Sequence, residues 1–301
     1  NNISEYKIDF DDMIYFPVIK DMDFPCYDIV FVDESQDMNP IQIDFLEKFK
    51  CRVIAVGDRH QAIYGFRSAD TKAMDSMISR FNMTELPLSI CYRCPQRVVD
   101  LAKEIVPHIE CGIDKLGNVQ AIPLQEFDNG YAESGDYVLC RTTAPMVSSA
   151  FSYIRNGRKA TIKGRDIGKN LLDLHNEIWK SIGDYRDSVS SWLSEKELVL
   201  KHREGKLIMC RDQAETLLCI LDHCEQDPKK IAFQIEKIFT DNVEGIVFCT
   251  IHKAKGLEAK NIFILNPELL PHPMAKRDWQ IEQEMNLKYV AITRSLDTLT
   301  W

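Results

Sequence analysis

Two adjacent carboxylates follow a short apolar run near the start of the chain. The run covers residues 29–32, and Asp33 and Glu34 come directly after it. A run of this length ended by acids is typical of a strand buried on both faces of a parallel sheet. Beyond the carboxyl end of such a strand, one carboxylate can hold Mg²⁺ and the next can orient a water against a terminal phosphate. A strand that meets solvent through two acids explains these two residues equally well.

The elements that would position these carboxylates are a strand, a helix and a second strand. Asn39-Pro40 predicts the start of a helix over 40–49, because proline is favoured in a first turn. A second buried strand over 52–56 ends at Gly57-Asp58, and this order of elements favours a parallel sheet. Further strands are predicted at 86–90, 137–140, 160–162, 245–250 and 261–265. Further helices are predicted at 71–81, 96–109, 144–156 and 280–288, and a short helix or turn at 10–17. Gly157 is predicted to follow the C-terminus of the helix at 144–156.

The stretch from 171 to 239 has helical periodicity and is more polar than the rest of the chain. Trp179, Tyr185 and Trp192 are spread thinly along it. This spacing favours core anchors of a small helical insertion over a cage of aromatic side chains around a ligand.

Composition places the chain among ordinary globular proteins, since it has 301 residues, 45% hydrophobic and 28% charged. This length predicts about two domains. A net charge of -9 argues against a basic coat for nucleic acid but leaves room for a local groove. No run approaches the ~20 apolar residues of a membrane span, and no secretion signal opens the chain. We therefore expect a cytoplasmic protein with no membrane partner.

The ten cysteines are scattered and include one CxxC pair, Cys91 and Cys94, followed by Cys111. No second CxxC and no HxxxH completes a zinc-binding set. Free thiols in a reducing compartment therefore explain them better than a metal site does.

Five motifs resemble, in the same order, those of the UvrD/Rep/PcrA-type superfamily 1 DNA helicases. They are VFVDESQD at 30–37, VGDRHQAIYGFRSA at 56–69, LSICYRCP at 88–95, TIHKAKGLE at 250–258 and YVAITRS at 289–295, which resemble motifs II to VI. The third of these departs from the family, which usually has NYRS or similar at that point.

The resemblance implies an α/β fold of two RecA-like parallel-sheet lobes, the first of them incomplete. Residues 1–85 would form the C-terminal part of the first lobe (1A, with the end of 1B). Residues 86–172 and 243–301 would form the second lobe (2A). Residues 173–242 would form a small helical insertion in the place of the family's larger 2B domain.

The resemblance also implies a site for ATP and Mg²⁺ between the lobes. Asp33 would hold the metal and Glu34 would activate the attacking water. Gln61 would reach the γ-phosphate, although a glutamine that only stabilises its loop is the alternative. Arg93 and Arg294 would approach the γ-phosphate, since guanidinium groups stay charged and present a planar set of donors. The remaining nucleotide contacts implied are Tyr92 stacked on adenine, Glu258 near the ribose, and Gly57.

DNA contacts implied by the resemblance lie in two of the motifs. Tyr64 and Phe66 match aromatic residues that stack on single-stranded bases, and core packing is the alternative for both. The family commonly has tryptophan at the position of Phe66. Arg67, Thr250 and His252 match positions near the DNA backbone, and a structural role is the alternative for His252. The partners implied are single-stranded DNA and duplex junctions, and the sequence assigns no protein partner.

The function implied is that of an ATP-dependent DNA helicase that moves along single-stranded DNA in the 3′ to 5′ direction. No stretch reads GxxxxGK[ST], the phosphate-binding loop of these enzymes. We therefore expect the chain as given to be an inactive fragment. Two alternatives stay open, a non-catalytic DNA-binding or regulatory module and the helicase part of a RecB/AddA-type helicase–nuclease.

Overall fold

The computed structural model describes residues 8–20, 22–64, 73–180, 184–201, 203–242 and 244–301. The chain divides into two compact units, residues 1–88 and 89–301. Each unit is described on its own below.

Unit 1 alternates helices with two parallel strands. Its elements are α1 Phe10–Ile19, β1 Ile29–Val32, α2 Pro40–Glu47, β2 Arg52–Ala55 and α3 Ala73–Phe81. The predicted strands and the helix that begins at Pro40 are confirmed. Asn39 caps α2, since its side chain accepts a hydrogen bond from the Gln42 amide at 3.0 Å and its own amide donates to Gln42 at 2.8 Å.

The predictions that β1 is buried on both faces and that β2 is a buried strand are wrong, because exposed and half-buried residues alternate along each strand. Val30 and Val32 pack with β2 against the buried residues Ile43 and Leu46 of α2 and Met77 of α3. Successive side chains of a strand point to opposite faces, and in the described part of unit 1 the helices cover one of them. Phe31 on the other face is 73% exposed.

Unit 2 is built on a parallel sheet with seven strands in its described part. The strands are β5 Asn118–Gln120, β6 Tyr137–Cys140, β7 Ala160–Lys163, β8 Phe239–Thr240, β9 Ile246–Thr250, β10 Ala259–Leu265 and β11 Ser295–Thr300. Their order is β5-β11-β10-β6-β9-β7-β8, and each neighbouring pair runs parallel. The predicted α/β class with parallel sheets is confirmed.

A short parallel pair, β3 Ile90–Cys91 and β4 Glu110–Cys111, lies outside that sheet. The helices of unit 2 are α4 Gln96–Ala102, α5 Leu124–Asp128, α6 Thr143–Arg155, α7 Arg165–Ile178, α8 Tyr185–Val199, α9 Glu204–His223, α10 Ile231–Ile238, α11 Ile251–Ala254 and α12 Asp278–Ile292.

Two predicted elements are shorter than expected. The strand predicted at 86–90 begins only at Ile90, and Leu86 and Leu88 before it are exposed. The helix predicted over 96–109 ends at Ala102. The next hydrogen bonds run from residue i to i−3, as from the Glu104 amide to the Leu101 carbonyl at 3.2 Å. This tighter pattern marks a helix end.

Helices α7 to α10 lie between β7 and β8 along the chain, in the stretch predicted to be a helical insertion. Their buried residues, such as Leu171 and Leu217, belong to the same hydrophobic cluster as Phe248 of the sheet. Tyr185 is the buried anchor that the sequence predicts, and its hydroxyl lies 2.8 Å from His175 Nδ1. Trp179 is 44% exposed, so its prediction as a core anchor is wrong.

In the described part of the chain, none of the helices combines the length and the apolar character that crossing a bilayer requires.

Two glycines of unit 2 share a left-handed backbone but differ in their surroundings. Gly157 follows α6 with φ +75°, as the sequence predicts for a glycine after a helix C-terminus. Gly245 precedes β9 with the same φ of +75°. A Cβ at Gly157 would meet nothing within 4 Å, whereas a Cβ at Gly245 would overlap the backbone carbonyl of Lys159. That carbonyl accepts the Ile246 amide at 2.9 Å, so Gly245 allows β9 to begin where it does.

Replacing each glycine with alanine separates these two effects. We expect Gly157→Ala to destabilise unit 2 by about 1 kcal/mol, the cost of a left-handed non-glycine residue. We expect Gly245→Ala to cost an additional ~1–3 kcal/mol, because the Lys159 backbone must shift. Urea denaturation of both variants measures the difference, and equal midpoints would contradict this account of Gly245.

Candidate functional site

The carboxyl ends of β1 and β2 bring two polar segments together in unit 1. The Val56 amide donates to the Val32 carbonyl at 2.8 Å, and the Ser35 amide donates to the Val56 carbonyl at 3.0 Å. The segment that carries Asp33 and Glu34 therefore lies directly beside the one that carries Gly57 and Asp58.

Glu34 is held by a buried amide, Gln36. The Gln36 side-chain amide donates to Glu34 Oε2 at 2.6 Å, and its oxygen accepts the Asp58 backbone amide at 3.0 Å. Glu34 has a left-handed backbone, with φ 50° and ψ 38°. A non-glycine residue keeps such a conformation only where its surroundings enforce it. Sequence reasoning missed Gln36, because its role depends on a contact 22 residues away.

Gly57 allows the close approach of the two segments. A Cβ at this position would lie 2.5 Å from Ser35 Oγ and 2.6 Å from Gln36 Oε1. A side chain here would push Gln36 away from Asp58. The structure thus gives Gly57 a packing role beside Glu34.

Asp58 organises the turn that follows β2. Its Oδ1 accepts the His60 amide at 2.9 Å and its Oδ2 accepts the side-chain amide of Gln61 at 2.9 Å. Gln61 therefore belongs to the same hydrogen-bonded group as Glu34, connected to it through Asp58 and Gln36. Tyr64, further along, is half-buried.

Phe66 and Arg67, both predicted to contact DNA, lie outside the described residues.

Asp33 is exposed at the end of β1, and its Oδ1 accepts the Glu34 amide at 2.8 Å. Mg²⁺ commonly binds one or two carboxylates and completes its shell with waters and phosphate oxygens. The Asp33 carboxylate fits that chemistry. The described residues contain no group of three or more His, Cys, Asp or Glu side chains that could enclose a metal ion.

Arg93, Glu258 and Arg294 form a cluster in unit 2. Arg93 Nε lies 2.8 Å from Glu258 Oε2, and both side chains are partly exposed. Arg294 is only 2% exposed. Burial lowers the pKa of the Arg294 guanidinium, and the positive charge of Arg93 lowers it further. The structure therefore brings together three of the residues predicted to contact the nucleotide.

The Arg294 guanidinium donates within unit 2. Its Nε donates to the Val290 carbonyl at 3.0 Å and its Nη1 to the Leu257 carbonyl at 3.4 Å. Its Nη2 donates to the Thr293 hydroxyl at 3.1 Å. These bonds connect α12 to the loop before Glu258.

Helix α12 is held by a buried ion pair. Arg141, just after β6, donates from Nη2 to Glu284 Oε1 at 2.6 Å and from Nε to Oε2 at 2.8 Å. Two donors matched to two carboxylate oxygens fix the orientation as well as the distance. The position of α12, and with it that of Arg294, therefore depends on this pair.

Tyr92 is 70% exposed and lies over a glycine. A Cβ at Gly112 would lie 2.8 Å from Tyr92 Cδ1 and 2.5 Å from Ile90 Cγ2. The ring therefore rests on bare backbone and keeps its outer face in solvent, where a planar ring can stack on it. Nothing in the local sequence indicates this role of Gly112.

Thr250 and His252 lie where β9 passes into α11. Thr250 is the last residue of the strand and the residue before the helix, and its side chain is buried. His252 is half-buried. Next to it, Lys253 Nζ lies 2.8 Å from Asp166 Oδ2 of α7. Both predicted DNA-contact residues thus lie at the carboxyl edge of the large sheet.

Two family models match the chain in the order of its two units. The UvrD/REP helicase N-terminal domain matches residues 5–82. The UvrD-like helicase C-terminal domain matches residues 197–301.

Individual proteins of the same kind are similar over longer stretches. F-box DNA helicase protein 1 of Schizosaccharomyces pombe is 24% identical over 90% of this chain, which spans 33% of that protein. The ATP-dependent DNA helicase Rep of Buchnera aphidicola is 26% identical over 63% of this chain, spanning 30% of that protein. The chain thus spans about a third of the length of these relatives.

Among solved structures, the C-terminal domain of a possible DNA helicase from Lactobacillus plantarum is 16% identical, with a TM-score of 0.29. The aligned region covers 69% of this chain and 84% of the Lactobacillus plantarum chain. The α/β class assigned above rests on the parallel strands of this chain.

Both domain models match in sequence order. The stretches 30–37 and 56–69 lie within the first match, 250–258 and 289–295 within the second, and 88–95 between them. The chain belongs to the UvrD/Rep-type family of superfamily 1 helicases.

Proposed function

We propose that this chain forms part of an ATP-dependent DNA helicase that moves along single-stranded DNA, in the 3′ to 5′ direction. The observation that carries the proposal is the hydrogen-bonded row of Glu34, Gln36, Asp58 and Gln61 at the end of β1 and β2. A row of this kind holds a carboxylate in a fixed position, as activation of one water molecule requires.

In this proposal, ATP is bound with Mg²⁺, and the metal supplies charge neutralisation on the phosphates. Asp33 holds the metal. Glu34 accepts a proton from the attacking water, and its hydrogen bond with Gln36 keeps the carboxylate oriented. Gln61 contacts the terminal phosphate, since its amide can both donate and accept hydrogen bonds.

The residues of unit 2 stabilise the charge that develops during phosphoryl transfer. Arg93 is the more accessible of the two arginines, and its ion pair with Glu258 is partly exposed. Arg294 is buried beside it and positions the loop that carries Glu258. Tyr92 stacks on the adenine, with the Gly112 backbone behind its ring.

DNA binding is proposed for Tyr64, Phe66, Arg67, Thr250 and His252. Aromatic stacking on bases is worth ~1–3 kcal/mol per base and tolerates any sequence. That tolerance suits a protein that moves along a strand. Single-stranded DNA and duplex junctions are the proposed substrates.

The first of the two proposed lobes covers residues 1–85. The second covers residues 86–172 and 243–301, and the proposed helical insertion covers residues 173–242.

Glu34→Gln tests the hydrolytic role. The amide keeps the size of the side chain but cannot accept the proton, so we expect DNA-stimulated ATP turnover to fall about 10²–10⁴-fold. Binding of a fluorescent ATP analogue should change little. The measurement uses the protein in its full natural form, with Glu47→Gln on α2 as a control that keeps normal turnover. Equal turnover by Glu34→Gln and the unmodified protein would refute the assignment.

Arg93→Ala tests the role of the exposed arginine. We expect kcat for ATP to fall on the order of 10²-fold or more, because a charge that stabilises the transition state is removed. Affinity for single-stranded DNA should stay within about twofold. Arg97→Ala, four residues further on and also exposed, is the matched control. Loss of DNA binding with normal turnover would show that Arg93 contacts DNA instead.

A further inference from the structure

The motif that carries Tyr92 and Arg93 has a cysteine on each side of them. Cys91 is the last residue of β3 and is half-buried, whereas Cys94 is buried. All ten cysteines of the chain are free thiols. Neither thiol has a part in the hydrolysis proposed above.

The bend at 92–94 brings the two cysteines together. The Cys94 backbone amide donates to Cys91 Sγ at 3.4 Å. This contact places the Cys91 sulfur against the backbone of Cys94, and the Cys-x-x-Cys spacing is the one found in redox-active disulfides.

The two thiols differ in reactivity. The hydrogen bond from the Cys94 thiol, together with backbone amides and the charge of Arg93, lowers the pKa of Cys91 to about 5. The same hydrogen bond and burial raise the pKa of Cys94. Of the two, Cys91 therefore has the larger fraction of thiolate, the form that attacks disulfides, and Cys94 the larger fraction of thiol.

We propose that Cys91 and Cys94 form a reversible oxidation site for low-molecular-weight disulfides, and that its redox state controls the geometry of Tyr92 and Arg93. The Cys91 thiolate attacks one sulfur of the small disulfide and expels the other as a thiolate. Cys94 then gives its proton to that thiolate and attacks Cys91 Sγ, which expels the second small group as a thiolate that takes a proton from water. Two protein thiols are thereby oxidised to one disulfide, while one small disulfide is reduced to two thiols.

Cys111 and metal binding are the alternatives for this cluster. Cys111 lies opposite Cys91 in the β3–β4 pair. Its thiol is directed at two backbone carbonyls, those of Cys94 at 3.5 Å and Ile113 at 3.3 Å. Among the described residues, these three cysteines do not form a group that could hold a metal ion. The pair joined by a direct hydrogen bond is therefore the one expected to close.

Formation of the disulfide would change the surroundings of both Arg93 and Arg294. The effect on hydrolysis rests on the proposed function. Arg93 and Tyr92 are the two residues that the new bond encloses. Cys94 Sγ also lies 3.4 Å from the Thr293 carbonyl oxygen, and a disulfide sulfur has no proton with which to keep a hydrogen bond there. Thr293 precedes Arg294 and accepts a hydrogen bond from its guanidinium, so the loss of that contact disturbs the support of Arg294.

Peptide mapping by mass spectrometry after exposure to oxidised glutathione tests the chemistry independently of any activity. We expect a Cys91–Cys94 disulfide in the unmodified protein, a glutathione adduct on Cys91 in Cys94→Ser, and no reaction at the pair in Cys91→Ser. A Cys91–Cys111 disulfide, or a first adduct on Cys94 or Cys111, would overturn the proposal.

The pH dependence of the adduct rate gives the sharper reading. A cysteine with a low pKa has more thiolate at pH 7, but each thiolate is a weaker nucleophile. The absolute rate at one pH therefore does not distinguish Cys91 from an ordinary thiol. The rate at Cys91 in Cys94→Ser, whose hydroxyl can donate to Cys91 Sγ in place of the thiol, should stay nearly flat from pH 6 to 8. The rate of an ordinary thiol rises about tenfold per pH unit over most of this range. A synthetic peptide with the sequence of residues 88–95 is the control and should show that rise. A tenfold gain per unit at Cys91 in the folded protein would also contradict the proposal.

Turnover of ATP by the protein in its full natural form tests the control of the site. We expect oxidised glutathione to lower kcat several-fold, dithiothreitol to restore it, and the double variant Cys91→Ser/Cys94→Ser not to respond to oxidant. Cys26→Ser, which removes an exposed thiol of unit 1, should respond like the unmodified protein. A disulfide that forms without changing turnover would overturn the control of the site. If neither the reduced protein nor its reduced variants hydrolyse ATP, the proposed function is wrong. The oxidation of Cys91 and Cys94 is then judged from the peptide mapping alone.

Discussion

Parallel pairing of strands is the constraint on which the candidate residues depend. In a parallel ladder, all carboxyl ends emerge at one edge. In unit 1, the pairing of Val32 with Ala55 sets Asp33 and Glu34 beside Gly57 and Asp58. In unit 2, Cys140 pairs with both Thr250 and Leu265, which brings the ends of three strands to one level. Strand pairing alone therefore brings together residues that are far apart in sequence.

The buried Arg294 shows how a charged side chain can organise a region as well as act in it. A guanidinium removed from water is costly unless its donors are satisfied. Here the acceptors come from both the end of α12 and the loop before Glu258. The side chain thus joins two segments of the family motifs, and its loss would affect geometry as well as charge. An effect of Arg294 on catalysis cannot be separated from this structural role by deletion alone.

Strands β1, β2, β6, β7, β9 and β10, the start of α2 and the class of the fold could be predicted from the sequence, since they follow from local rules. The run at 29–32, the helix start at Pro40 and the glycine after α6 are examples. Burial of β1 could not be predicted. Its four residues are all apolar, so the pattern cannot distinguish one covered face from two.

The identities of the candidate-site residues could be predicted where they lie in motifs that resemble those of the family. The contacts of Gln36, Gly112 and Arg294 could not be predicted, because each depends on a segment distant in sequence. A single letter in a motif gives the chemistry of a side chain but not the atoms around it. The positions of Phe66 and Arg67 lie outside the described residues, and their assignment still rests on the motif.

The helical segment α7 to α10 shares its hydrophobic core with the large sheet. A subdomain that swivels as a rigid body needs a core of its own and a narrow hinge. Here Leu171 and Ile235 pack among the residues that also bury Phe248 of β9. Rotation of this segment would open the interior of the unit to water, so we expect α7 to α10 and the sheet to move together. Helices packed in this way brace the sheet.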